Sequence, residues 1–366
     1  MSPILIGKNR KSTPTAPREL SAGDCLDRYR PGRNCNPMKY REFGNAAVEV
    51  SEIGLGCWQI GGDQWGDVSD DDALGTLRAA VEAGTTFLDT ADVYGAGRSE
   101  TLVGRFLKES GRKDLFVATK LGRFGVPGLP DNATAANMRA HTEASLKRLG
   151  VETLDLTQLH CVPQPILERG EVFETLRTLQ GEGKIRRWGA SVESTAEAKL
   201  CLAQPGLASL QIIFNIYRQT PIHAIFQECE AKGVAVIVRL PLASGLLAGK
   251  YHPGTTFAAN DHRSFNRNGE KFNVGETFAG LGFETGVAVT EKLRPFVPAE
   301  YTMPQFALKW CLGFSAVTVI IPGARNPEQA RGNAAVSDLP GLPADLEVML
   351  EDFYRTEVAP HVRGPD

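Results

Sequence analysis

The sequence has no apolar run near the roughly 18 to 20 residues that a membrane helix requires, which argues against a membrane protein. Its seven cysteines are scattered without a CxxC pair, so neither a disulfide framework nor a metal site is predicted, and reduced thiols in the cytoplasm are the simplest interpretation. The 40 basic and 43 acidic residues give a net charge of −3 without a long basic stripe, which argues against nucleic acid as a partner. These exclusions favour a globular protein that binds a small molecule.

Residues 1–37 differ in composition from the rest of the 366-residue chain. Basic residues outnumber acidic ones there, Ser, Thr and Pro are interspersed, and apolar periodicity is weak. This composition predicts a flexible tail, with a faint likeness to a transit peptide as the alternative. Because the regular alternation of apolar and amphipathic segments begins at Met38, we expect Met38 to be the first residue of the natural protein.

From Met38 onward, short apolar runs alternate with amphipathic stretches, a pattern typical of repeated βα units. The predicted strands are 53–58, 86–89, 115–120, 154–160, 185–191, 209–215, 234–240 and 318–321. Eight such units predict an α/β fold, a single-domain (β/α)₈ barrel over residues 38–345, followed by a C-terminal helix or tail over 346–366. The rival doubly wound sheet lacks its dinucleotide fingerprint, since Gly54-Leu55-Gly56 has no third glycine. The long connection at 250–285, after the seventh strand, predicts a binding loop.

Four polar residues stand at or just beyond the carboxyl ends of predicted strands, where barrels place their reactive groups. They are Asp89, Tyr94, Lys120 and His160. Each alone is compatible with a structural role, as a cap, a loop aromatic, a solvated charge or a core histidine. Together they predict proton transfer, because an ammonium beside a phenol favours the phenolate and a carboxylate can pair that ammonium.

The segments around these residues resemble those of the aldo-keto reductases. The matching runs are FLDTADVYG (87–95), ATKL (118–121) and QLH (158–160), in the order and on the strands that the family uses. The resemblance covers about residues 38 to 345 and implies NADPH-dependent carbonyl reduction on a (β/α)₈ barrel. It implies that Tyr94 is the general acid, that Lys120 with Asp89 lowers the pKa of Tyr94, and that His160 orients the carbonyl.

The same resemblance implies which residues hold the nicotinamide end of the cofactor. Ser191 and Gln211 match positions that bind the carboxamide, whereas Val192 stands where many members have Asn. Arg239 occupies a position that is often an aromatic stacked on the nicotinamide. The pyrophosphate loop is matched by Pro241, Leu242, Ser244, Gly245, Leu246 and Lys250.

A second cofactor segment follows the last predicted strand. There the sequence predicts a turn at Gly323, a helix cap at Asn326 and a helix whose N-terminus favours an anion. Arg325 is placed to meet an adenosine 2′-phosphate, and Gln329 and Asn333 resemble adenine-side contacts of the family. This segment favours NADPH, with NADH as the alternative.

Substrate contacts are predicted less specifically, because the pocket is formed mainly by loops. The candidates are Trp58, Trp65, Arg123, His262 and Arg263. The polar members of this set indicate a sugar-like or anionic carbonyl compound, while core packing or solvation explains each of them equally well.

The resulting expectation is an oxidoreductase that converts an aldehyde or ketone to an alcohol, with hydride from the nicotinamide C4 and a proton from Tyr94. Two alternatives stay open on the same residues. One is a redox-sensing NADPH-binding module like the β subunits of potassium channels, and the other is a sugar or polyol dehydrogenase working in the oxidative direction. The sequence does not predict the oligomeric state.

Overall fold

Eight parallel strands form the barrel that the sequence predicts. The computed structural model describes residues 38–62 and 64–365, so the predicted tail over 1–37 lies outside the described residues. The barrel strands are β3 (Leu55–Gly56), β4 (Phe87–Asp89), β5 (Phe116–Leu121), β6 (Leu156–His160), β7 (Trp188–Ser191), β8 (Leu207–Ile213), β9 (Ala235–Arg239) and β10 (Val317–Ile320). Each pairs in parallel with the next, and parallel bridges Ile53–Ile320 and Gly56–Gly323 close the ring.

The strands lie where short, nearly unbroken apolar runs predict them, because a parallel strand covered on both faces has no polar side. Helices cover the outside of the barrel and fill its connections. Those in the described residues are α1 (Trp58–Gly61), α2 (Asp70–Glu82), α3 (Arg98–Ser110), α4 (Ala135–Leu149), α5 (Gln164–Arg169), α6 (Glu171–Gly181), α7 (Thr195–Leu202), α8 (Gln227–Lys232), α9 (His262–Phe265), α10 (Phe283–Leu293), α11 (Met303–Leu312), α12 (Pro327–Ala334) and α13 (Ala344–Phe353). Within those residues, none of the helices has the length and apolarity needed to cross a membrane.

Polar side chains cap the starts of several helices. Ser69 accepts a hydrogen bond from the backbone of Asp72 at the start of α2, and Ser194 forms a reciprocal capping box with Glu197 at α7. Asn326 caps α12. These caps fix where each connecting loop ends and therefore which residues face the top of the barrel.

An antiparallel hairpin before the barrel is not among the predicted strands. Its strands, β1 (Tyr40–Glu42) and β2 (Glu49–Ser51), flank a turn that carries Phe43. The Phe43 ring is fully buried and lies 4.8 Å from the ring of Phe116 and 5.9 Å from that of Phe87, on the floor of the barrel. The hairpin thus closes the end of the barrel opposite the carboxyl ends of the strands.

We expect Phe43→Ala to lower the free energy of unfolding by about 3 to 5 kcal/mol, since it removes a buried aromatic ring from the barrel floor. Equilibrium urea unfolding measures the change. Glu49→Ala, an exposed position of the same hairpin, is the control and is expected to change stability by less than about 0.5 kcal/mol. A loss below about 1 kcal/mol for Phe43→Ala would show that the ring does not support the barrel.

The connection after β9 has short helical turns of its own. It runs from a 3₁₀ segment, Ala243–Ala248, through α9 to the turns Val274–Glu276 and Phe278–Gly280, and ends where α10 begins. Ser244 ties its two ends together, because its Oγ donates to the carbonyl of Glu276 at 3.0 Å and accepts from the amide of Phe278 at 3.1 Å. This long connection therefore lies over the top of the barrel as one folded layer.

Candidate active site

Asp89, Tyr94, Lys120 and His160 come together at the top of the barrel. Asp89 ends β4 and His160 ends β6, while Lys120 projects from β5 between them. The Lys120 Nζ donates to the Asp89 Oδ1 at 2.5 Å and to the Tyr94 Oη at 3.4 Å. It also donates to the carbonyl of Thr90 at 2.9 Å. One buried ammonium thus links the carboxylate to the phenol.

Burial controls the proton affinities of this group. It raises the pKa of Tyr94 to about 12, with Lys120 lowering that pKa and Asp89 raising it by smaller amounts. Burial lowers the pKa of Lys120, but Asp89 and Tyr94 more than offset this effect, so that the net pKa is raised. Lys120 therefore acts on Tyr94 in the expected direction without outweighing burial, and the phenol holds its proton at neutral pH.

His160 is neutral for the same physical reason. Burial, together with the positive charges of Arg123, Lys120 and Arg239, holds its pKa well below the usual value. Its ring meets the Tyr94 ring edge to face, with centroids 5.8 Å apart. A neutral imidazole has one N–H to donate, which suits a substrate oxygen placed between His160 and Tyr94.

Two glycines bring Tyr94 to this position. A Cβ on Gly61 would lie 2.9 Å from the Tyr94 carbonyl carbon, and a Cβ on Gly95 would lie 2.4 Å from the Gly61 oxygen. Gly95 also has φ +59°, in the region that favours glycine. The turn after Tyr94 can therefore pack directly against α1, where Trp58 stacks on the phenol at 5.9 Å.

Further side chains bind the Asp89 carboxylate oxygen that does not face Lys120. The Gln211 Nε2 donates to the Asp89 Oδ2 at 2.8 Å, and Ser191 Oγ donates to the Gln211 Oε1 at 3.3 Å. Gln158 Nε2 reaches the same carboxylate oxygen at 3.4 Å. Ser191 and Gln211, the two residues predicted to bind the carboxamide of the nicotinamide, are thus linked by hydrogen bonds to the Asp89–Lys120 pair.

A groove of about 1130 Å³ extends from the four residues across the top of the barrel. Most of the predicted cofactor residues line it. They are Gln211, Arg239, Pro241, Leu242, Ser244, Gly245, Lys250, Gly323, Arg325, Gln329 and Asn333. Ser191 and Leu246 do not, since Ser191 lies behind Gln211 and the Leu246 side chain packs under α10, against Gly286.

The far end of the groove is shaped for an anion. A Cβ on Gly323 would lie 1.8 Å from the Gln59 Oε1, so a larger residue there would force the Gln59 side chain to move. Arg325 is exposed beside the N-terminus of α12, and its guanidinium forms no hydrogen bond or ion pair with another described residue. The groove volume, its open Arg325 end and the buried polar groups at its head fit a nicotinamide dinucleotide.

Comparison with known proteins identifies the family. The model of the aldo/keto reductase family matches residues 52–348. The chain belongs to this family. It is 29% identical to the aldo-keto reductase YhdN of Bacillus subtilis over 90% of this chain and 98% of that protein. It is 31% identical to the NADH-specific methylglyoxal reductase of Escherichia coli, over 86% and 98%.

Solved structures agree with the sequence relatives. Aldo-keto reductase AKR11C1 from Bacillus halodurans, in its holo form, has a TM-score of 0.70 at 28% identity, covering 87% of this chain and 96% of that one. The glycerol dehydrogenase AKR11B4 from Gluconobacter oxydans has a TM-score of 0.69 at 30% identity, covering 87% and 95%. As a member of the family, the chain is an NAD(P)H-dependent oxidoreductase that acts on small carbonyl or alcohol substrates.

The predicted substrate residues of this aldo/keto reductase divide into two groups. Trp58, Trp65, Arg123 and Arg263 line the groove, although Arg263 is held by a bidentate pair with Asp261. His262 does not line the groove. Its side chain is fully buried, its ring is 4.4 Å from Trp65, and burial lowers its pKa to about 4. His262 supports the tryptophans and has no surface to offer a substrate, which corrects that expectation.

The residues Asp89, Tyr94, Lys120 and His160, which we call the tetrad, have a charged cluster beside them that was not predicted as a unit. It consists of Arg123, Cys161, Glu193, Arg239 and Glu276, and we call it the arginine–glutamate cluster. The Glu276 Oε1 accepts from Arg123 at 2.8 Å and lies 3.5 Å from the Arg239 Nη1. Cys161 has φ +51° and places its Sγ 3.7 to 3.9 Å from the charged groups of Arg123, Arg239 and Glu276.

The cluster has acidic members that could in principle attract a metal. The ligand atoms of Cys161, Glu193 and Glu276 lie within 4.8 Å of one another. Arg123 and Arg239 already supply positive charge to Glu276, however, and both would repel a cation. Burial and the negative charge of Glu276 raise the pKa of Glu193 to about 7. The cluster is therefore a guanidinium–carboxylate site in this family member.

Proposed function

We propose that the protein reduces a small aldehyde or ketone to the alcohol at the expense of NADPH, with Tyr94 as the general acid. The observation that supports this most is the Lys120 ammonium shared between Asp89 and Tyr94 at the head of the groove. A bound nicotinamide dinucleotide supplies hydride to the carbonyl carbon. His160 orients the carbonyl oxygen, Tyr94 donates its proton to that oxygen, and Lys120 stabilises the phenolate left behind.

The test is turnover of NADPH by the purified full chain with a panel of carbonyl compounds that includes methylglyoxal and glyceraldehyde. Consumption of NADPH with formation of the matching alcohol supports the proposal. Tight NADPH binding without turnover of any carbonyl would contradict it and favour the redox-sensing module.

The preference for NADPH is part of the proposal. The residue that supports this preference is Arg325, because its exposed guanidinium lies next to the N-terminus of α12 at the far end of the groove, where we expect the adenosine to bind. The relative from Escherichia coli is named as NADH-specific, so the family alone does not decide the cofactor.

We expect Arg325→Ala to weaken NADPH binding by about tenfold or more while changing NADH affinity by less than about twofold, because only NADPH has the 2′-phosphate. Fluorescence titration with both dinucleotides measures this. Arg331→Ala, on the exposed side of the same helix, is the control and leaves both affinities unchanged. Equal losses for the two cofactors in Arg325→Ala would contradict the assignment.

Polyol oxidation is the second candidate, favoured by the structural neighbour named as a glycerol dehydrogenase. The same residues serve both directions, with Tyr94 as acid in reduction and as base in oxidation, so the cellular ratio of reduced to oxidised cofactor decides between them. Cytoplasmic location is also part of the proposal, supported by the free thiols of the described cysteines.

A further inference from the structure

Glu276 is a buried carboxylate close to the candidate active site, yet the proposed hydride and proton transfers do not use it. It lies in the turn Val274–Glu276 of the long connection, is 3% exposed, and reaches into the head of the groove. There it holds Arg123 at 2.8 Å and faces Arg239 at 3.5 Å. Both guanidiniums line the same groove as Tyr94 and His160. The Sγ of Cys161, the residue after His160, lies 3.7 to 3.9 Å from all three ions, so a substrate carbonyl held by the tetrad lies near this ion triplet.

The orientation of Arg123 is set by the long connection. Glu276 binds its Nη1, and the Phe272 ring lies 5.1 Å from its guanidinium carbon. The side chain is still 23% exposed to the groove, and a guanidinium has more N–H donors than this one carboxylate uses. An uncharged hydroxyl or carbonyl oxygen of a substrate can therefore accept a hydrogen bond from Arg123 without displacing Glu276.

A substrate carboxylate meets a different situation. To reach Arg123 it must approach Glu276, whose negative charge is already paired with the same guanidinium. Burial raises the pKa of Glu276, but Arg123 and Arg239 outweigh that effect and hold it below its usual value, so the carboxylate stays ionised. Like charges this close repel each other in a partly buried site. Above pH 7, where Glu193 also ionises, two carboxylates balance the two guanidiniums of the cluster.

We propose that Glu276 is a specificity-determining residue that makes the substrate site select uncharged carbonyl compounds over 2-oxo acids. This inference rests on the proposed reductase function. It narrows the predicted substrates to neutral carbonyl compounds rich in oxygen. Anionic carbonyl compounds, which the two arginines alone would favour, are excluded.

The experiment compares pyruvate with methyl pyruvate, which has the same keto group and lacks the negative charge. Values of kcat/KM are measured with NADPH at pH 8 for the wild type and Glu276→Gln. We expect the wild type to prefer the ester. In Glu276→Gln the amide oxygen can still accept from Arg123 but carries no charge, so the ratio of pyruvate to ester kcat/KM is expected to rise by about tenfold or more.

The control is Glu270→Gln, an exposed glutamate in the same connection that bonds Asn268 and does not line the groove. Its ratio is expected to match the wild type. An unchanged ratio in Glu276→Gln, or a wild type that uses pyruvate at least as well as the ester, would overturn the inference. If Glu276→Gln does not fold, the wild-type comparison decides alone.

Failure of the reductase function itself has a separate signature. In that case the wild type oxidises no NADPH with methylglyoxal, methyl pyruvate or any other carbonyl. If methylglyoxal is reduced but neither pyruvate nor its ester is, the two are compared as competitive inhibitors of methylglyoxal reduction. Stronger inhibition by pyruvate in the wild type would then overturn the inference.

Discussion

Replacing Tyr94 with Phe is expected to lower kcat for carbonyl reduction by about 10² to 10⁴-fold, the range that a positioned general acid contributes. The substitution removes the hydroxyl that Lys120 holds at 3.4 Å and keeps the ring that stacks on Trp58. Because the groove extends well beyond Tyr94, NADPH affinity is expected to change by less than about twofold. Steady-state kinetics and a fluorescence titration of the same preparation measure both quantities.

A matched variant separates the loss of the acid from a general effect of losing a hydroxyl. Tyr301→Phe removes a phenol that donates to the Pro340 carbonyl at 2.8 Å, and neither residue lines the groove. Its kcat is expected to stay within about twofold of the wild type, because only a structural hydrogen bond is lost. Turnover by Tyr94→Phe at the wild-type rate would show that another group supplies the proton.

The Asp89–Lys120 pair is expected to show a large effect on stability as well as on activity. Both side chains are almost fully buried, so Asp89→Asn leaves a buried ammonium with neutral partners only, namely the new amide oxygen, the Thr90 carbonyl and the Tyr94 hydroxyl. Breaking a buried pair in this way is expected to lower the free energy of unfolding by about 3 to 5 kcal/mol. Carbonyl reduction is expected to fall sharply in the same variant, because without the charge of Asp89 burial favours the neutral Lys120 amine, and Tyr94 loses the positive charge beside it.

Lys120→Met is expected to lose less stability than Asp89→Asn. Without the lysine, Asp89 still accepts hydrogen bonds from Gln211 and Gln158, so the remaining charge keeps two polar partners. The double variant leaves no charge unpaired and is expected to lose at least about 1 kcal/mol less than the sum of the single losses.

Urea unfolding of the four proteins at neutral pH gives this coupling energy. The pKa of Lys120 is raised in the folded protein, so its stabilisation is fully present below the ordinary lysine value and is lost only as the pH rises through the folded pKa. Additive losses would contradict the view that the pair acts as one unit.

The barrel, and the meeting of the four tetrad residues at its top, could be predicted because both depend on local signals. Buried parallel strands appear as short apolar runs, and the candidate catalytic residues Asp89, Lys120 and His160 lie at or next to the carboxyl ends of those runs. Strand limits shifted by a few residues because only tertiary hydrogen bonds decide where pairing stops. The hairpin that carries Phe43 was missed because its strands have three residues each, too few for a period to be recognised.

The arginine–glutamate cluster could not be predicted, since its members come from five separate parts of the chain. Cys161 and Glu276 are 115 residues apart and meet only because the long connection folds back over the barrel. The length of that connection was the only signal for Glu276, whereas Arg123 and Arg239 were predicted separately as substrate and cofactor residues. The burial of His262 was equally invisible, because a polar residue in a long loop gives no sign that two tryptophans will cover it.

The measurement that tests the central claim most directly follows the hydride. NADPH deuterated at the transferred position of C4 is incubated with the purified full chain and methylglyoxal, and the alcohol product is examined by mass spectrometry and NMR. The account predicts one deuterium at the new carbinol carbon for each NADPH consumed, with the hydroxyl proton coming from exchangeable sources. Product without deuterium at that carbon, or no oxidation of NADPH or NADH with any carbonyl compound, would contradict it.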